Sequence, residues 1–434
     1  MNVERTVFIT VIWAASALGL TAVAQAADPG LRPAPEWVKQ IAPGTWAEVS
    51  LNTLADVNPA RDPGVNPNHP GPPPWRDNQG AVLGAWNGGA FASGYGRSGA
   101  LVLVGGGHTD YYGNEVYAFD LDSRSWQRLT NPYRSPSFPV ADGIWPDGTP
   151  SVSHTYDQVE YHPGTNSFVM MKTQNDNTGG QSSPVVAMFS LDGLKPPDSN
   201  ANRDANRANW RLSPLHADNY TQSGGWSVYD SKRDLFWANG GAGTRSFVSF
   251  DPKPPQAGGR FGAFKSYPQR TAVTDAVAAY DPVNDIILYT VFRTAPNVWA
   301  VDLAQPVAGN GGNVQITQAG SAPEREPAHG WEWSPTRRAF VYYRRGAGVY
   351  ELKQQGTDWR SDLWQWSELT SPENTLVPAG EIRNGVYSKF RIASFADAEI
   401  ALVVNQANGP VYAFRMPGAE SRREPKSPVV LNVN

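Results

Sequence analysis

The chain contains no cysteine, which excludes disulfides, thiolate zinc sites, iron–sulfur clusters, a cysteine nucleophile and a cysteinyl-tyrosine radical cofactor. It also lacks an excess of charge of either sign, because 36 Lys and Arg are balanced by 40 Asp and Glu without long runs. This balance predicts no binding to nucleic acid or to an anionic membrane surface. Beyond the first 26 residues, no apolar run is long enough to span a bilayer.

What is present instead is a composition rich in turn residues and tryptophan. The 434 residues include 42 Gly, 37 Pro and 16 Trp, and 40% of them are hydrophobic. A chain of this length and apolar content can bury a sizeable core, and its Gly and Pro content stays below that of low-complexity sequences. We therefore expect a globular protein whose stability comes from packing.

The N-terminal segment resembles an export signal. Arg5 precedes an apolar run at residues 7–24, and Ala24-Gln25-Ala26 supplies the small-x-small pattern of a cleavage site. This pattern predicts a signal peptide at 1–26, a mature chain at 27–434 and a secreted or periplasmic location, with no membrane contact after cleavage. The alternative is an uncleaved anchor, because about 18 weakly apolar residues just reach across a bilayer.

One pattern recurs along the chain from about residue 86. Its clearest copy, GGGHTDYYGNEVYAFDLDSRSW at 105–126, has glycines after an apolar strand, then a polar loop, a strand VYAFDL, a turn and a Trp that opens another strand. The VYAFDL element returns at intervals of roughly 50 to 70 residues. Its later copies are VAMFSL at 186, FVSFDP at 247, VWAVDL at 298, VYELK at 349 and VYAFRM at 411.

A second marker recurs in phase with the first and predicts a tight turn between two apolar strands. It reads YHPGTNSF at 161, YDSKRDLF at 229, YDPVNDII at 280 and WSPTRRAF at 333. Repeats of short strands with glycine and aromatic punctuation are typical of a β-propeller, in which twisted four-stranded blades bury their faces by stacking around an axis.

Six copies predict an all-β propeller of six blades in a single domain. The last blade, which ends near 416, lacks a fourth strand, whereas the strand TWAEVSL at 45–51 has no blade before it. We therefore expect this N-terminal strand to complete the C-terminal blade and close the ring. Seven blades would require a hidden copy within 131–153. The predicted layout is a long loop over one face at 52–85, blades at 86–416 and a tail at 417–434.

The glycine, tyrosine, aspartate and tryptophan spacing of the first blade resembles the kelch repeat. GGGHTDYYGNEVYAFDL, followed later by SHTYD, is similar to a class of secreted bacterial kelch-type propellers. The resemblance implies the galactose-oxidase-like propeller fold and leaves function open, because propellers carry many activities. The oxidase chemistry of such relatives needs a cysteine for its cofactor, so the chain lacks that chemistry.

A propeller predicts where its site lies, because the loops from second to third strands and from blade to blade emerge on one face beside the starts of the inner strands. The Pro- and Gly-rich segments 52–85 and 131–152 belong to that face and are predicted to cover it. For proton transfer we select His154, Tyr156, His108 and Tyr112. For substrate binding we select Asn114, Arg245, Arg293, Arg344, His329, Trp331 and Asp275.

Each selected residue also has a simpler structural interpretation. Asn114 and Asp110 can satisfy loop amides through side-chain turns, and the arginines can be solvated loop cations. The sequence contains no phosphate loop, Ser-His-Asp spacing or HExxH motif. No cofactor is therefore predicted, and a calcium or zinc ion near His108, Asp110 or His154 stays open.

A face rich in His, Tyr and Arg suits an acidic substrate. Elimination from a uronate needs a group that neutralises the carboxylate, a base and a proton donor, whereas glycoside hydrolysis needs two carboxylates at a set separation. We predict a monomeric exported propeller that acts as a lyase on an acidic polysaccharide or oligosaccharide, and it is similar in its axial residues to secreted propeller polysaccharide lyases. The alternatives are a non-catalytic glycan- or protein-binding propeller and a hydrolase that uses Asp275 or Asp110.

Overall fold

A computed structural model of the chain describes most of the region in which the repeats lie. The described residues are 31–62, 78–106, 110–111, 113–133, 143–152, 154–174, 182–216, 224–240, 247–267, 275–291, 297–305, 313–324, 329–344, 346, 348–378 and 384–418. The predicted export signal and most of the predicted tail lie outside these residues.

The protein is an all-β propeller of six four-stranded antiparallel blades, as the repeats predict. Every VYAFDL-type copy forms the third strand of a blade, for example Tyr117–Asp120 in the first. From the inner to the outer strand, the bounds are as follows: blade 1, Gly89–Ala92, Ala100–Leu103, Tyr117–Asp120 and Ser125–Arg128; blade 2, Val159–His162, Ser167–Met170, Ala187–Ser190 and Trp210–Leu212; blade 3, Trp226–Asp230, Leu235–Asn239, Phe247–Pro255 and Phe261–Tyr267. The remaining bounds are: blade 4, Ala276–Asp281, Ile286–Val291, Val298–Asp302 and Asn313–Gln315; blade 5, Gly330–Ser334, Ala339–Tyr343, Val349–Gln354 and Leu363–Glu368; blade 6, Arg391–Ser394, Glu399–Val404, Val411–Arg415 and Trp46–Glu48.

The N-terminal strand closes the ring as predicted, although it is shorter than 45–51. Trp46–Glu48 pairs antiparallel with Val411–Arg415, with Trp46 opposite Phe414. The inner strands contact one another in order around the axis, and the inner strand of blade 6 contacts that of blade 1. In the described parts of 131–153, only an isolated bridge between Ile144 and Pro150 forms, so these parts contain no seventh blade.

Apolar side chains pack between neighbouring blades because successive residues of a strand face opposite sides of the sheet. In blade 1, Leu101 belongs to a buried cluster with Ile400 of blade 6, whereas the next residue, Val102, packs with Phe168 of blade 2. Further clusters fill the other blade interfaces. The core is therefore a ring of interfaces around the axis.

The turns between first and second strands lie on the face opposite the predicted site and match the second marker. In three of them a tyrosine hydroxyl donates to the residue that ends the turn, whose backbone is left-handed as Asn and Asp allow. The pairs are Tyr161 with Asn166 (2.8 Å, φ 43°), Tyr229 with Asp234 (2.7 Å, φ 54°) and Tyr280 with Asp285 (2.9 Å, φ 60°).

The remaining regular elements are short. A strand Thr317–Ala319 runs parallel to Leu363–Glu368, and Thr173–Gln174 pairs with Ser182–Ser183. The α-helices are Glu36–Gln40, Ala81–Gly84 and Asn200–Asn206, and the 3₁₀ turns are Leu54–Val57, Pro59–Arg61, Pro163–Thr165, Arg207–Asn209, Ala257–Gly259 and Tyr387–Lys389. Within the described ranges, no helix has the length and apolar character needed to cross a bilayer.

Candidate functional site

Three left-handed residues mark the axial end of the inner strands. Tyr156, Asp275 and Tyr387 lie just before the inner strands of blades 2, 4 and 6, with φ angles of 50°, 53° and 46°. Outside glycine, this conformation costs roughly 1–3 kcal/mol and persists where the surroundings enforce it, commonly at functional sites. Gly224 lies just before blade 3, where a Cβ would come within 2.2 Å of the backbone N of Asp275. Left-handed backbone therefore recurs at these positions, as it also does in the turns on the opposite face.

Aromatic side chains form a continuous row at these positions. The His154 ring lies 6.0 Å from the Tyr156 ring, which lies 5.8 Å from the Tyr387 ring, and both contacts are edge-on. The Tyr387 hydroxyl donates to Asp275 Oδ1 at 3.1 Å. Burial, reinforced by the charge of Asp275, raises the pKa of Tyr387 well above its usual range. Tyr387 therefore keeps its proton at neutral pH.

The other end of the row is a histidine–carboxylate pair. His154 Nε2 lies 2.6 Å from Asp110 Oδ2, and the His154 ring packs 4.9 Å from that of Trp86. The His154 side chain is buried, whereas 40% of the Asp110 side chain is exposed. A carboxylate at Nε2 favours the tautomer with its proton there, so Nδ1 of the neutral ring is an acceptor. This end of the row is suited to accept a proton.

Two buried lysines flank the tyrosines. Lys172 Nζ lies 4.4 Å from the Tyr156 ring centroid, and Lys389 Nζ lies 5.9 Å from that of Tyr387. Lys172 is 1% exposed and Lys389 is fully buried, with its Nζ donating to the backbone O of Asn87 at 2.5 Å. Burial lowers the pKa of each lysine to about 7. Each amine can therefore take up or release a proton near neutral pH.

We use the name axial cluster for Tyr156, Lys172, Asp275, Tyr387 and Lys389. An ionic group lies beside it on the same inner strands. Arg391 donates to Glu332 at 2.7 Å and to the backbone O atoms of Gly89 (2.8 Å) and Val159 (2.7 Å), and its Nη2 lies 3.7 Å from Glu160. Asp157, the residue after Tyr156, accepts from the backbone N of Ala278 at 2.8 Å.

The acidic members of this group are shifted towards the protonated form. Burial raises the pKa of Asp157 and that of Glu160 to about 8, and the positive charge of Arg391 opposes both shifts. Through its hydrogen bonds and ion pairs, Arg391 of blade 6 is joined across the axis to backbone and carboxylate groups of blades 1, 2 and 5.

The sequence selected some residues that the structure brings together. His154, Tyr156 and Asp275 all lie in the row of axial groups. His108, Tyr112, Arg245 and Arg293 lie outside the described residues. The roles predicted for these four therefore stay predictions.

Other selected residues lie in different surroundings. Asn114 donates to Thr149 Oγ1 (3.0 Å) and to the backbone O of Pro150 (2.9 Å), and thereby fastens a loop. Arg344 pairs with Glu324 at 2.6 Å. Trp331 stacks on Phe340 and donates to the backbone O of Leu288, in a buried cluster that also contains Tyr156 and Tyr387 of the axial row, and His329 packs on Trp331 and Tyr342. The described contacts of these four residues are structural in character.

The lysines and the ionic group are absent from the sequence-based selection. Lys172 follows the apolar strand Ser167–Met170, and Lys389 and Arg391 flank Phe390 at the start of blade 6. The sequence signal available for Lys172 is a lysine that lies between an apolar strand and a polar loop. The same pattern is typical of a lysine in a solvated loop. Within the described part of the chain, no group of three or more His, Asp or Glu is arranged to hold a metal ion.

The structure defines a six-bladed β-propeller with a buried lysine–tyrosine cluster at its axis. No protein-family profile matches the sequence, and no curated protein matches it. Similar solved structures include YjhT, with a TM-score of 0.38 and 10% identity over 76% of this chain and 94% of that one. They also include the α-L-arabinofuranosidase Arb93A of Fusarium graminearum in complex with an iminosugar inhibitor, with a TM-score of 0.41 and 12% identity over 81% of this chain and 96% of that one. A third is PorZ of Porphyromonas gingivalis, a surface component of the type IX secretion system, with a TM-score of 0.36 and 12% identity over 79% of this chain and 41% of that one. These values assign no activity to this chain.

Proposed function

We propose that the axial cluster binds the carboxylate of a uronate residue in an acidic glycan and that the protein cleaves the adjacent glycosidic bond by β-elimination. The observation that carries the proposal is the row from His154 to Asp275, flanked by Lys172 and Lys389. It combines a proton acceptor, a proton donor and two cationic side chains in one continuous group. We retain export and the kelch relationship as parts of this proposal.

The lysines supply the first requirement of elimination. A proton α to a carboxylate is weakly acidic, and it becomes more acidic when cations neutralise that carboxylate. An ammonium group in a buried site interacts with an anion more strongly than it does in water, because the surrounding dielectric is lower. Lys389 has one hydrogen bond within the described residues, to Asn87, and an –NH₃⁺ group has three donors. A bound carboxylate therefore gives Lys389 both an acceptor and a counter-charge.

The two ends of the row supply the proton transfers. His154, oriented by Asp110, takes the proton from the carbon next to the carboxylate. The electron pair of that C–H bond forms the new C=C bond as the neighbouring C–O bond breaks. For this transfer the Tyr387 hydroxyl turns from Asp275 Oδ1 to the departing oxygen and gives its only proton to that oxygen. Tyr156 lies between the two ends.

A hydrolase is less well supported by the same contacts. Hydrolysis uses two carboxyl groups that both face the sugar. Asp110 is engaged with His154 and Asp275 with Tyr387, so both act here as partners of another proton-transfer group. The remaining alternative is a propeller that binds an acidic glycan without cleaving it.

The reaction class is tested with the full chain and a panel of ulvan, pectate, alginate and glucuronan-type polymers. Elimination leaves a C=C bond conjugated with the carboxylate, so we expect ultraviolet absorbance to rise with at least one polymer. Flat traces with every polymer, combined with measurable binding of one of them, would instead establish the non-catalytic alternative. Flat traces without binding would refute the proposal.

Lys389→Met is expected to weaken uronate binding about 10- to 100-fold, the range expected for one charge-assisted hydrogen bond. In the wild type, affinity should fall as the pH rises through about 7, because Lys389 and Lys172 lose the charge that holds the carboxylate. The variant should show a shallower pH dependence. Isothermal titration with a uronate oligosaccharide between pH 6 and about 9 measures both effects.

The control for this experiment is Lys195→Met, because Lys195 is exposed in the connection between the third and the outer strand of blade 2. It should bind like the wild type. Lys389→Met relieves the desolvation cost of a buried amine but leaves the buried backbone O of Asn87 without its donor, so the melting temperature of each variant is measured beside its affinity. Equal affinities in Lys389→Met and the wild type would show that Lys389 does not hold the ligand.

A further inference from the structure

A cavity opens on the face of the axial cluster, away from the axis. It has a volume of about 390 Å³ and lies between the 3₁₀ turn Leu54–Val57, the helix Ala81–Gly84 and the loop after Glu399–Val404 in blade 6. A backbone hydrogen bond from Ala55 N to Ala407 O, at 2.7 Å, joins two of its walls. Binding pockets for small ligands typically occupy roughly 300–1,000 Å³. The cavity is therefore preformed and of suitable size for a ligand.

Side-chain amides dominate the lining of this cavity. They are Asn58, Gln79, Asn405, Gln406 and Asn408. None of the described residues that line the cavity has a charged side chain. An amide both donates and accepts hydrogen bonds, as a sugar hydroxyl does, so the two groups are matched without any net charge. We use the name amide pocket for this cavity.

Some of these amides have hydrogen-bonding capacity left for a ligand. Asn58 accepts from the backbone N of Ala60 through Oδ1, which leaves its NH₂ group available. Gln406 and Asn408 make no side-chain hydrogen bond with any residue that the structure describes. Gln79, by contrast, is buried and donates to the backbone O of Leu54. Gln79 is thus fixed, whereas Gln406, Asn408 and the NH₂ group of Asn58 have no partner among the described residues.

Two glycines keep the pocket open. A Cβ at Gly84 would meet no atom within 4 Å, and one at Gly80 would come no closer than 3.7 Å to Asn78 and 4.0 Å to Ala407. Gly80 has ordinary right-handed backbone angles, φ −55° and ψ −24°. A larger side chain at Gly80 is therefore compatible with the backbone and would extend into the cavity.

The amide pocket and the axial cluster share two stretches of chain. Gly84, in the pocket wall, is three residues before Asn87, whose backbone O accepts from Lys389, so the intervening chain spans at most roughly 10 Å. Asn384 donates to the backbone O of Gly84 at 2.9 Å and is three residues before Tyr387. An oligosaccharide of a few units can reach from one site to the other.

We infer that the amide pocket is a subsite for uncharged sugar residues, and that the glycan recognised by this protein joins neutral units to the acidic unit held at the axis. The inference rests on the proposed function for the axial part. It adds that the substrate is a mixed glycan rather than a polymer of uronate alone. Recognition in the pocket depends on hydroxyl groups and should be insensitive to salt, because no charge is involved.

The test compares Gly80→Trp, Gly80→Ala and Lys389→Met with the wild type, all as the full chain. Each is titrated with neutral oligosaccharides of hexose, 6-deoxyhexose or pentose units and, separately, with a uronate oligosaccharide. Gly80→Trp should weaken neutral binding at least about tenfold by filling the pocket. Gly80→Ala, which adds a single methyl group, should keep neutral binding, and Lys389→Met should weaken uronate binding alone.

The outcomes separate the two ideas. Neutral binding that survives in Gly80→Trp, or no neutral binding in the wild type at about millimolar sugar, overturns the subsite. Neutral binding that follows the expected pattern while no uronate binds overturns the axial proposal and leaves the pocket as a neutral-sugar site. If the wild type distinguishes mixed polymers from pure uronate polymers and Gly80→Trp does not, the result supports both the subsite and the axial proposal.

Discussion

Tyr387→Phe should lower turnover about 100- to 10,000-fold, the range observed when a general acid or base is removed. The substitution keeps the ring that packs edge-on against Tyr156 and removes the hydroxyl that donates to Asp275. The departing oxygen then has no proton donor at this end of the row, and it must leave as an anion. The effect should appear in kcat rather than in KM, because the carboxylate is held by the lysines. Steady-state kinetics on the polymer identified in the panel measures the two constants.

The chain offers a matched control in Tyr280→Phe. Tyr280 also donates to a carboxylate, that of Asp285 at 2.9 Å, but it does so in a turn on the face opposite the axial cluster. Both substitutions remove one phenol–carboxylate hydrogen bond, so each should cost roughly 1–3 kcal/mol of stability. Tyr280→Phe should retain full turnover. If the two variants lose activity in equal measure, the loss comes from stability and Tyr387 has no special role.

The fold could be predicted from the sequence because its information is local and repeated. Each VYAFDL-type copy is a short, largely apolar run that is followed by turn residues, and all six copies form third strands. Ring closure followed from counting, since Trp46–Glu48 lacked a blade and the last blade lacked a strand. None of these inferences needed a contact between distant side chains.

The site was only partly predictable because burial at the axis is a property of several blades together. His154, Tyr156 and Asp275 were found because they come just before inner strands, a position that the repeat itself defines. Lys172 was missed because its amine is buried against the Tyr156 ring and the residues around that ring, and not by the residues next to Lys172 in the sequence. The left-handed backbone of Tyr156, Asp275 and Tyr387 has no signature in the sequence, since glycine is the residue expected there.

The same dependence on several blades makes Arg391 the position where substitution should cost most stability. Arg391→Met leaves Glu332 and Glu160 without their cation and frees the backbone O atoms of Gly89 and Val159. Breaking a buried ion pair by removing one partner typically costs about 3–5 kcal/mol. We expect a loss of this size in urea unfolding, measured with the full chain near neutral pH.

The loss should also grow with pH, which distinguishes an electrostatic role from a simple packing defect. Burial raises the pKa of Asp157 and Glu160 to about 8, so both bind protons in the folded protein at a pH where the unfolded chain has released them. Their contribution to stability is therefore present in acid and is lost as the pH rises through about 8. Because Arg391 opposes these shifts, its removal should raise both pKa values further, and the variant should be destabilised more at about pH 9 than at about pH 5.5.

Arg337→Met is the control, since Arg337 is also buried but pairs with Glu351 inside blade 5, at 2.8 Å, away from Asp157 and Glu160. A loss in Arg391→Met that is equal at both pH values would show that its hydrogen bonds to the backbone, rather than its charge, hold the blades together.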